Sequence, residues 1–230
     1  MINGSLLRDA ILSAAYTLAS QKQSVDELNV FPVPDGDTGT NMSMTIGAAA
    51  RELEMLKDPA VSETSKVAAS ALLRGARGNS GVILSLLFRG ISKGLQGKSE
   101  ASGADLADAL VEGVTAAYKA VMKPTEGTIL TVAREASEKA RSVAMDDNDA
   151  LTVFRAAVAQ AKETLARTPE MLPVLKKAGV VDAGGQGLVI ILQAMLDVFE
   201  GGPVKKPEAA PAGGSAAKPK RSAVAEADGD

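Results

Sequence analysis

The sequence of 230 residues contains no cysteine and no histidine. The lack of cysteine excludes disulfide bonds, thiol nucleophiles and cysteine-ligated zinc from this chain. The lack of histidine excludes Ser-His-Asp triads, histidine general bases and histidine-ligated metals. Any chemistry must therefore use carboxylates, hydroxyls, amides, backbone N–H groups, Lys, Arg or a bound metal.

Long apolar runs and a strong excess of one charge are missing as well. The formal net charge is −3, so no broad electrostatic attraction to nucleic acid or to an anionic membrane is expected. No apolar run is long enough to cross a bilayer, and the N-terminus lacks a basic segment followed by an apolar stretch. We expect a soluble cytoplasmic protein.

Apolar residues recur every three to four positions from Ser5 to Glu200, which is typical of amphipathic helices. The pattern predicts about eight helices, one of them continuous from Met42 to Leu56 and another ending before Pro169. No convincing alternating pattern indicates a strand. We therefore predict an all-α fold, an eight-helix bundle or barrel, that forms one domain over residues 1–200.

The composition changes abruptly after Gly201 and Gly202. Residues 203–230 are mainly Ala, Pro, Gly, Lys and acidic residues, with hardly any large apolar side chains. Such a segment cannot form a core, and we predict a disordered linker or tail over residues 201–230. Its Lys218–Arg221 cluster is more typical of a solvated charge run than of a binding site. A linker of this type often joins domains.

The most informative stretch is Asn29–Asn41, in which Asp35 and Asp37 stand on either side of a glycine, directly before a helical pattern. Pro32 and Pro34 keep the approach extended. Magnesium usually takes one or two carboxylates and completes its octahedron with water and phosphate oxygens. The stretch therefore indicates a magnesium-nucleotide site, to which further oxygen donors come from Thr38, Thr40 and Asn41.

Two other interpretations fit parts of this stretch. An ordinary surface turn, with an aspartate in an Asx turn or at a helix N-cap, has the same composition. Calcium is a weaker alternative, because the twelfth residue of a loop that starts at Asp35 is Ile46 and not the glutamate of an EF-hand. Taken alone, the stretch leaves the turn and the magnesium site open.

Three other glycine-containing loops precede predicted helices. They are Gly75–Gly81, Thr125–Thr128 and Asp182–Gly187. Free N–H groups at a helix start attract phosphate, although none of these loops has the spacing of a Walker A motif and each is also typical of a connecting turn. In a bundle whose alternate helices are parallel, such loops can gather at one rim. We expect Thr128 to cap its helix rather than to touch a ligand.

These motifs occur in the same order as in DhaL-type domains, the ATP-binding domains of the dihydroxyacetone kinase family, and the chain resembles them over roughly residues 1–200. The residues of these motifs are most similar to those of the N-terminal domain of bacterial fatty acid kinase. The resemblance implies an eight-helix barrel with ATP at one rim, bound through two magnesium ions held by Asp35 and Asp37 as the central catalytic residues. Asn29 is the candidate third ligand, because many family members carry an aspartate in that region. The remaining implied nucleotide-binding residues are Thr38, Thr40, Asn41, Gly78, Asn79, Ser80, Gly81, Thr128, Asp182 and Gly184.

The resemblance also implies a function. The main interpretation is an ATP-dependent kinase domain whose acceptor, a fatty acid held by a DegV-like binding protein, becomes an acyl phosphate. One alternative is the ATP subunit of a dihydroxyacetone-type kinase, for which a partner would supply the histidine-bearing substrate domain. Another is a regulatory module that binds nucleotide without turnover. Since aromatic residues are only 3% of the chain, we expect an aliphatic adenine slot built from Leu, Ile and Met.

Overall fold

The computed structural model describes residues 1–207, which form ten helical segments and two short strands. Eight of these helices have ten or more residues, in agreement with the predicted all-α fold. The elements in chain order are β1 (Ile2–Asn3), α1 (Gly4–Asp26), α2 (Thr38–Gly47), α3 (Ala50–Glu54), α4 (Val61–Gly75), α5 (Gly78–Gly94), β2 (Glu100–Ala101), α6 (Gly103–Ala120), α7 (Ile129–Ala144), α8 (Ala150–Met171), α9 (Pro173–Ala178) and α10 (Ala183–Phe199).

The long helices form a closed ring. Contacts run from α1 to α4, α5, α6, α7, α8 and α10, and α10 returns to α1. The interior is apolar and includes fully buried Ile11, Leu72 and Leu84. α10 is buried on most sides, as its sequence predicts. β1 and β2 pair antiparallel and place Ile2 opposite Ala101; strands of two residues are too short to produce an alternating pattern.

α2 covers one end of the ring and meets its neighbours at glycines. A Cβ at Gly39 would lie 2.1 Å from the Lys22 carbonyl oxygen of α1, and one at Gly81 would lie 2.4 Å from the Thr45 hydroxyl. A Cβ at Gly187 would similarly lie 2.6 Å from the Met42 sulfur. The glycines therefore permit α2 to approach its neighbours closely at the end of the ring where α5 and α10 begin.

Two predicted helix boundaries are wrong. The helix expected from Met42 to Leu56 is divided into α2 and α3. α8 continues through Pro169 to Met171, although the sequence predicts that it ends earlier. Proline removes one backbone donor inside a helix, and the Thr168 hydroxyl donates a 2.7 Å hydrogen bond to the Leu165 carbonyl, which satisfies that acceptor instead.

Packing continues a few residues beyond the predicted end of the domain at residue 200. Val204 packs partly buried against the core, and the Lys205 N–H donates a 3.0 Å hydrogen bond to the Ser13 hydroxyl. The predicted tail beyond residue 207 lies outside the described residues. Among residues 1–207, no helix has the length and apolar character needed to span a membrane.

Candidate nucleotide site

A cleft of about 660 Å³ lies where α2, α5, α7 and α10 begin and where α6 ends. This size is typical of a small-molecule site. Of the thirteen residues that the sequence predicts for the site, the structure places eleven along this cleft, whereas Thr40 and Gly81 do not line it. The eleven are Asn29, Asp35, Asp37, Thr38, Asn41, Gly78, Asn79, Ser80, Thr128, Asp182 and Gly184.

The carboxylates of Asp35 and Asp37 reach the cleft without a partner from the protein. Asp35 is exposed and Asp37 is half-buried. Within residues 1–207, neither side chain accepts a hydrogen bond or forms an ion pair. Asp37 occupies the N-cap position of α2, but its side chain makes no capping hydrogen bond. The N-cap alternative therefore does not describe Asp37, and both carboxylates are available to a cation.

Asn29 supplies the cap that Asp37 does not. Its Oδ1 accepts hydrogen bonds from the Asp37 N–H (3.2 Å), the Thr38 N–H (3.2 Å) and the Thr38 hydroxyl (2.7 Å). Its Nδ2 donates to the Val33 carbonyl at 3.0 Å. Asn29 is 6% exposed, and its oxygen is committed to protein donors rather than turned toward a ligand.

Thr40 is held outside the cleft by Asp26. The Asp26 carboxylate accepts hydrogen bonds from the Thr40 N–H at 2.9 Å and from the Thr40 hydroxyl at 2.6 Å. Asp26 and Asn29 thus satisfy first-turn donors of α2. The N-terminus of α2 consequently offers few free N–H groups to an anion.

The N-terminus of α5 differs, because no side chain caps it. The N–H groups of Gly78, Asn79 and Ser80 belong to its first turn, and all three residues line the cleft. The first turn contains no acidic residue. Uncapped N–H groups and the helix dipole together favour an anion at this position.

Asp182 lies at two other helix starts at the cleft. Its Oδ2 accepts a 2.8 Å hydrogen bond from the Gly185 N–H of α10. The Asp182 N–H in turn donates to the Thr168 hydroxyl of α8 at 3.1 Å. Burial raises the pKa of Asp182 to about 6, and the backbone N–H groups of Gly185 and Ile129, at the starts of α10 and α7, only partly offset this effect.

The expectation that Thr128 caps α7 through its side chain is wrong. Thr128 occupies the N-cap position, but its hydroxyl donates a 2.7 Å hydrogen bond to the Thr125 carbonyl. The Asp182 carboxylate, which the Ile129 N–H stabilises, lies at this helix start instead. Asp182 lies more than fifty residues away in the sequence, so no local pattern could predict this cap.

The cleft also has an aliphatic wall, whose members the sequence does not single out. Val82 and Ile83 follow the α5 N-terminus, and Met122, which is 97% exposed, lies in the loop after α6. Val121, Ile129 and Leu130 belong to this wall as well, and the aromatic Phe31 also lines the cleft. The sequence places most of them only on helix faces, because the same aliphatic residues form the core.

Positive charge at the cleft comes from the loop between α6 and α7. The arginines nearest to the start of α5 in the sequence, Arg74 and Arg77, do not line the cleft, and Arg74 pairs with Glu52. Lys123, in the loop between α6 and α7, is the basic residue among those that line it. No motif marks this lysine in the sequence.

A metal at this site would need ligands from outside the protein. The described residues contain no group of three or more carboxylates close enough to hold a metal. Two free carboxylates fit magnesium, which binds through one or two carboxylates plus phosphate oxygens and water. The donor set therefore fits a metal that arrives with a phosphate ligand.

Comparisons with known proteins find similarity over most of the chain. A family model described as the DAK2 domain matches residues 32–197. Protein YloV of Bacillus subtilis (strain 168) is 48% identical over 200 residues, which are 87% of this chain and 36% of YloV. An uncharacterized protein of Staphylococcus haemolyticus (strain JCSC1435) is 46% identical over 200 residues, with the same coverage of 87% and 36%. The chain thus spans about a third of the length of these curated relatives.

The fold is also similar to a solved kinase structure. The dihydroxyacetone kinase from C. freundii in complex with AMP-PNP and Mg2+ matches with a TM-score of 0.63 at 20% identity, over 84% of this chain and 33% of that chain. At this identity the likeness shows the fold alone. Since the DAK2 model matches most of the chain in sequence, the chain belongs to the DAK2, or DhaL-type, domain family.

Proposed function

We propose that this chain is a magnesium-dependent ATP-binding phosphotransferase domain. The observation that carries the proposal is the juxtaposition, in one cleft, of two unpaired carboxylates and an uncapped helix N-terminus. Asp35 and Asp37 suit divalent cations, and the first turn of α5 suits a phosphate. The solved kinase that shares the fold was crystallised with AMP-PNP and Mg2+, which supports the same ligand class here.

The charges of the cleft explain why metal and nucleotide would bind together. A triphosphate alone would be repelled by Asp35, Asp37 and Asp182. Magnesium, as the two ions that the family resemblance implies, would offset this repulsion and neutralise charge that develops during transfer. Asp35 and Asp37 would bind the metal. Asn29 would keep the backbone at Asp37 and Thr38 in place through its hydrogen bonds to their N–H groups. We therefore assign Asn29 a positioning role rather than the role of a third ligand.

The remaining cleft residues would bind and orient the nucleotide. The N–H groups of Gly78, Asn79 and Ser80 would donate hydrogen bonds to phosphate oxygens, and Asn41 lies beside Gly78. The aliphatic wall would hold the adenine. Since positioning and electrostatics carry much of phosphoryl transfer, no covalent protein intermediate is required.

The proposed acceptor is a fatty acid presented by a DegV-like binding protein, which gives an acyl phosphate. The cleft has no second, histidine-bearing pocket for a small ketone, because the chain contains no histidine. A second candidate is the ATP subunit of a dihydroxyacetone-type kinase, which the fold likeness to the C. freundii enzyme favours. Under either proposal, another protein or domain supplies the acceptor. A regulatory module would bind the nucleotide and transfer nothing.

Calorimetric titration with AMP-PNP, with and without magnesium, tests nucleotide binding. We expect binding that requires magnesium and that Asp37→Asn weakens by about a hundredfold or more, since a charged metal ligand is lost. Asp146→Asn is the matched control, because Asp146 is exposed and does not line the cleft. Equal affinity of the wild type and Asp37→Asn would contradict the metal site.

An acceptor assay separates the two kinase proposals. The protein is incubated with ATP and either a fatty-acid-loaded DegV-like protein or dihydroxyacetone with a histidine-bearing substrate subunit. Acyl phosphate, trapped as hydroxamate, supports the first proposal, whereas dihydroxyacetone phosphate supports the second. Magnesium-dependent binding without either product supports the regulatory module.

A further inference from the structure

Lys123 carries the positive charge of a cleft that is otherwise acidic. The described residues that line the cleft include the carboxylates of Asp35, Asp37 and Asp182, and Lys123 is the one Lys or Arg among these lining residues. Its side chain is exposed. Its amine forms no ion pair with any carboxylate in residues 1–207. A cation thus stands at the cleft without a protein partner.

The loop that carries Lys123, residues 121–128, is anchored by Glu126. The Glu126 carboxylate accepts hydrogen bonds from the Tyr118 hydroxyl of α6 (3.1 Å), and from Arg134 Nη2 (2.9 Å) and the Thr131 hydroxyl (2.7 Å) of α7. Arg134 Nε also donates to the Tyr118 hydroxyl at 3.2 Å. Burial raises the pKa of Glu126, but the bonds from Thr131 and Arg134 outweigh it and hold the pKa below its usual range. The anchor is therefore charged at neutral pH.

Further bonds hold the loop between Lys123 and α7. The Thr128 hydroxyl donates to the Thr125 carbonyl at 2.7 Å, and the Gly127 N–H donates to the Thr131 hydroxyl at 2.8 Å. The part of the loop that follows Lys123 is therefore bonded to α6 and α7, whereas the lysine side chain itself is exposed. A fixed attachment with a flexible stem lets the ammonium follow a group that changes position.

We propose that Lys123 binds the γ-phosphate of magnesium-ATP and keeps this contact during transfer. This inference rests on the proposed function. In the step, a carboxylate oxygen of the acceptor forms a bond to the γ-phosphorus. The bond from that phosphorus to the oxygen that bridges it to the β-phosphorus breaks, and ADP leaves with the electron pair. The Lys123 ammonium lowers the repulsion between the anionic acceptor and the γ-phosphoryl oxygens.

A comparison of magnesium-ADP with magnesium-AMP-PNP tests this contact by calorimetry. We expect Lys123→Met to weaken AMP-PNP binding by about ten- to a hundredfold, the usual range for one charged hydrogen bond, and to leave ADP binding unchanged. Lys123→Arg retains the charge and should recover most of the affinity. Lys119→Met is the control, because Lys119 precedes this loop on α6 and lines a different groove.

Each other outcome has a distinct meaning. Equal AMP-PNP affinity in the wild type and Lys123→Met overturns the proposal, with the proposed function intact. An equal loss of affinity for ADP and AMP-PNP also overturns it, because the lysine would then contact other phosphates. Absence of nucleotide binding in the wild type overturns the proposed function together with this inference. Unchanged thermal unfolding of Lys123→Met shows that the exposed side chain is not needed for folding.

Discussion

At the scale of single residues, the carboxylates of the cleft differ in their surroundings. Asp35 and Asp37 reach the cleft unpaired, whereas Asp182 is only 5% exposed and accepts a backbone hydrogen bond from Gly185 of α10. Burial disfavours the charged form, and the backbone N–H groups of Gly185 and Ile129 favour it. The protonation of Asp182 therefore affects the stability of the fold at the edge of the cleft.

The pKa of Asp182 predicts a pH dependence of stability. The pKa is about 6 in the folded protein and near 4 in an unfolded chain, so the folded state binds this proton more tightly. The contribution of Asp182 to the free energy of unfolding is therefore largest below pH 4. It falls by about 3 kcal/mol as the pH rises through 6, and is constant above that.

Urea unfolding of the wild type and Asp182→Asn at intervals from pH 4 to 8 measures this contribution. The difference in unfolding free energy between the two proteins should change between pH 4 and pH 6 and stay level above pH 7. Asp146→Asn, at an exposed position, should show no such change in this range. Parallel stability curves for the wild type and Asp182→Asn would contradict the raised pKa.

At the scale of secondary-structure elements, the helix N-termini of the cleft have different partners. Asn29 and Asp26 accept hydrogen bonds from first-turn N–H groups of α2, and Asp182 accepts one from the Gly185 N–H of α10. The first turn of α5 has no capping side chain and no acidic residue. Its dipole and donors are therefore available to a phosphate.

Gly78, the first residue of α5, has a backbone conformation that favours glycine. Its φ angle is +64°, and a Cβ would lie 2.5 Å from Asn41 Nδ2. We expect Gly78→Ala to lose roughly 1–2 kcal/mol of stability through backbone strain. We also expect it to weaken magnesium-AMP-PNP binding by at least about tenfold, because both Asn41 and the α5 N-terminus are displaced.

Gly97→Ala is the matched control for backbone strain. Gly97 has a φ angle of +77°, and a Cβ at this position would have no other atom within 4 Å. It should lose a similar amount of stability and retain nucleotide affinity. Denaturant unfolding and calorimetry measure both quantities, and equal nucleotide affinities of the two variants would refute a special role for the α5 N-terminus.

At the scale of the whole molecule, a short non-helical segment after α10 packs against the ring of helices. Val204 packs against the core, and Lys205 bonds to Ser13 of α1. Contacts between the last described residues and the first helix hold this segment on the ring. The stable unit should therefore extend at least to Lys205 rather than end at residue 200.

Two truncations test this boundary. A chain that ends after Pro207 should unfold within about 0.5 kcal/mol of the full chain and bind magnesium-AMP-PNP with the same affinity. A chain that ends after Glu200 should lose about 1–2 kcal/mol, since it lacks the Val204 contact and the bond to Ser13. Equal stability of both truncations in urea unfolding would place the boundary at residue 200.

The sequence alone was sufficient to predict the all-α class, the family resemblance and eleven of the residues that line the cleft. Helical periodicity, glycines and a local run such as Asp35-Gly-Asp37 act over a few residues, and so they are visible in the chain itself. Helix ends were less predictable. The Thr168 hydroxyl allows α8 to pass Pro169, and that compensation depends on a particular side-chain conformation.

Only the tertiary structure decided which donors and acceptors stay free. Asn29 is bonded to the α2 N-terminus, Asp182 lies at the starts of α7 and α10, which are more than fifty residues apart, and Lys123 lines the cleft from a position that no motif marks. The physical reason is that a hydrogen bond or a cap depends on which groups meet in space. Local sequence determines which helices form and which chemical groups they carry, and the packing of the ring determines which of those groups remain available to a ligand.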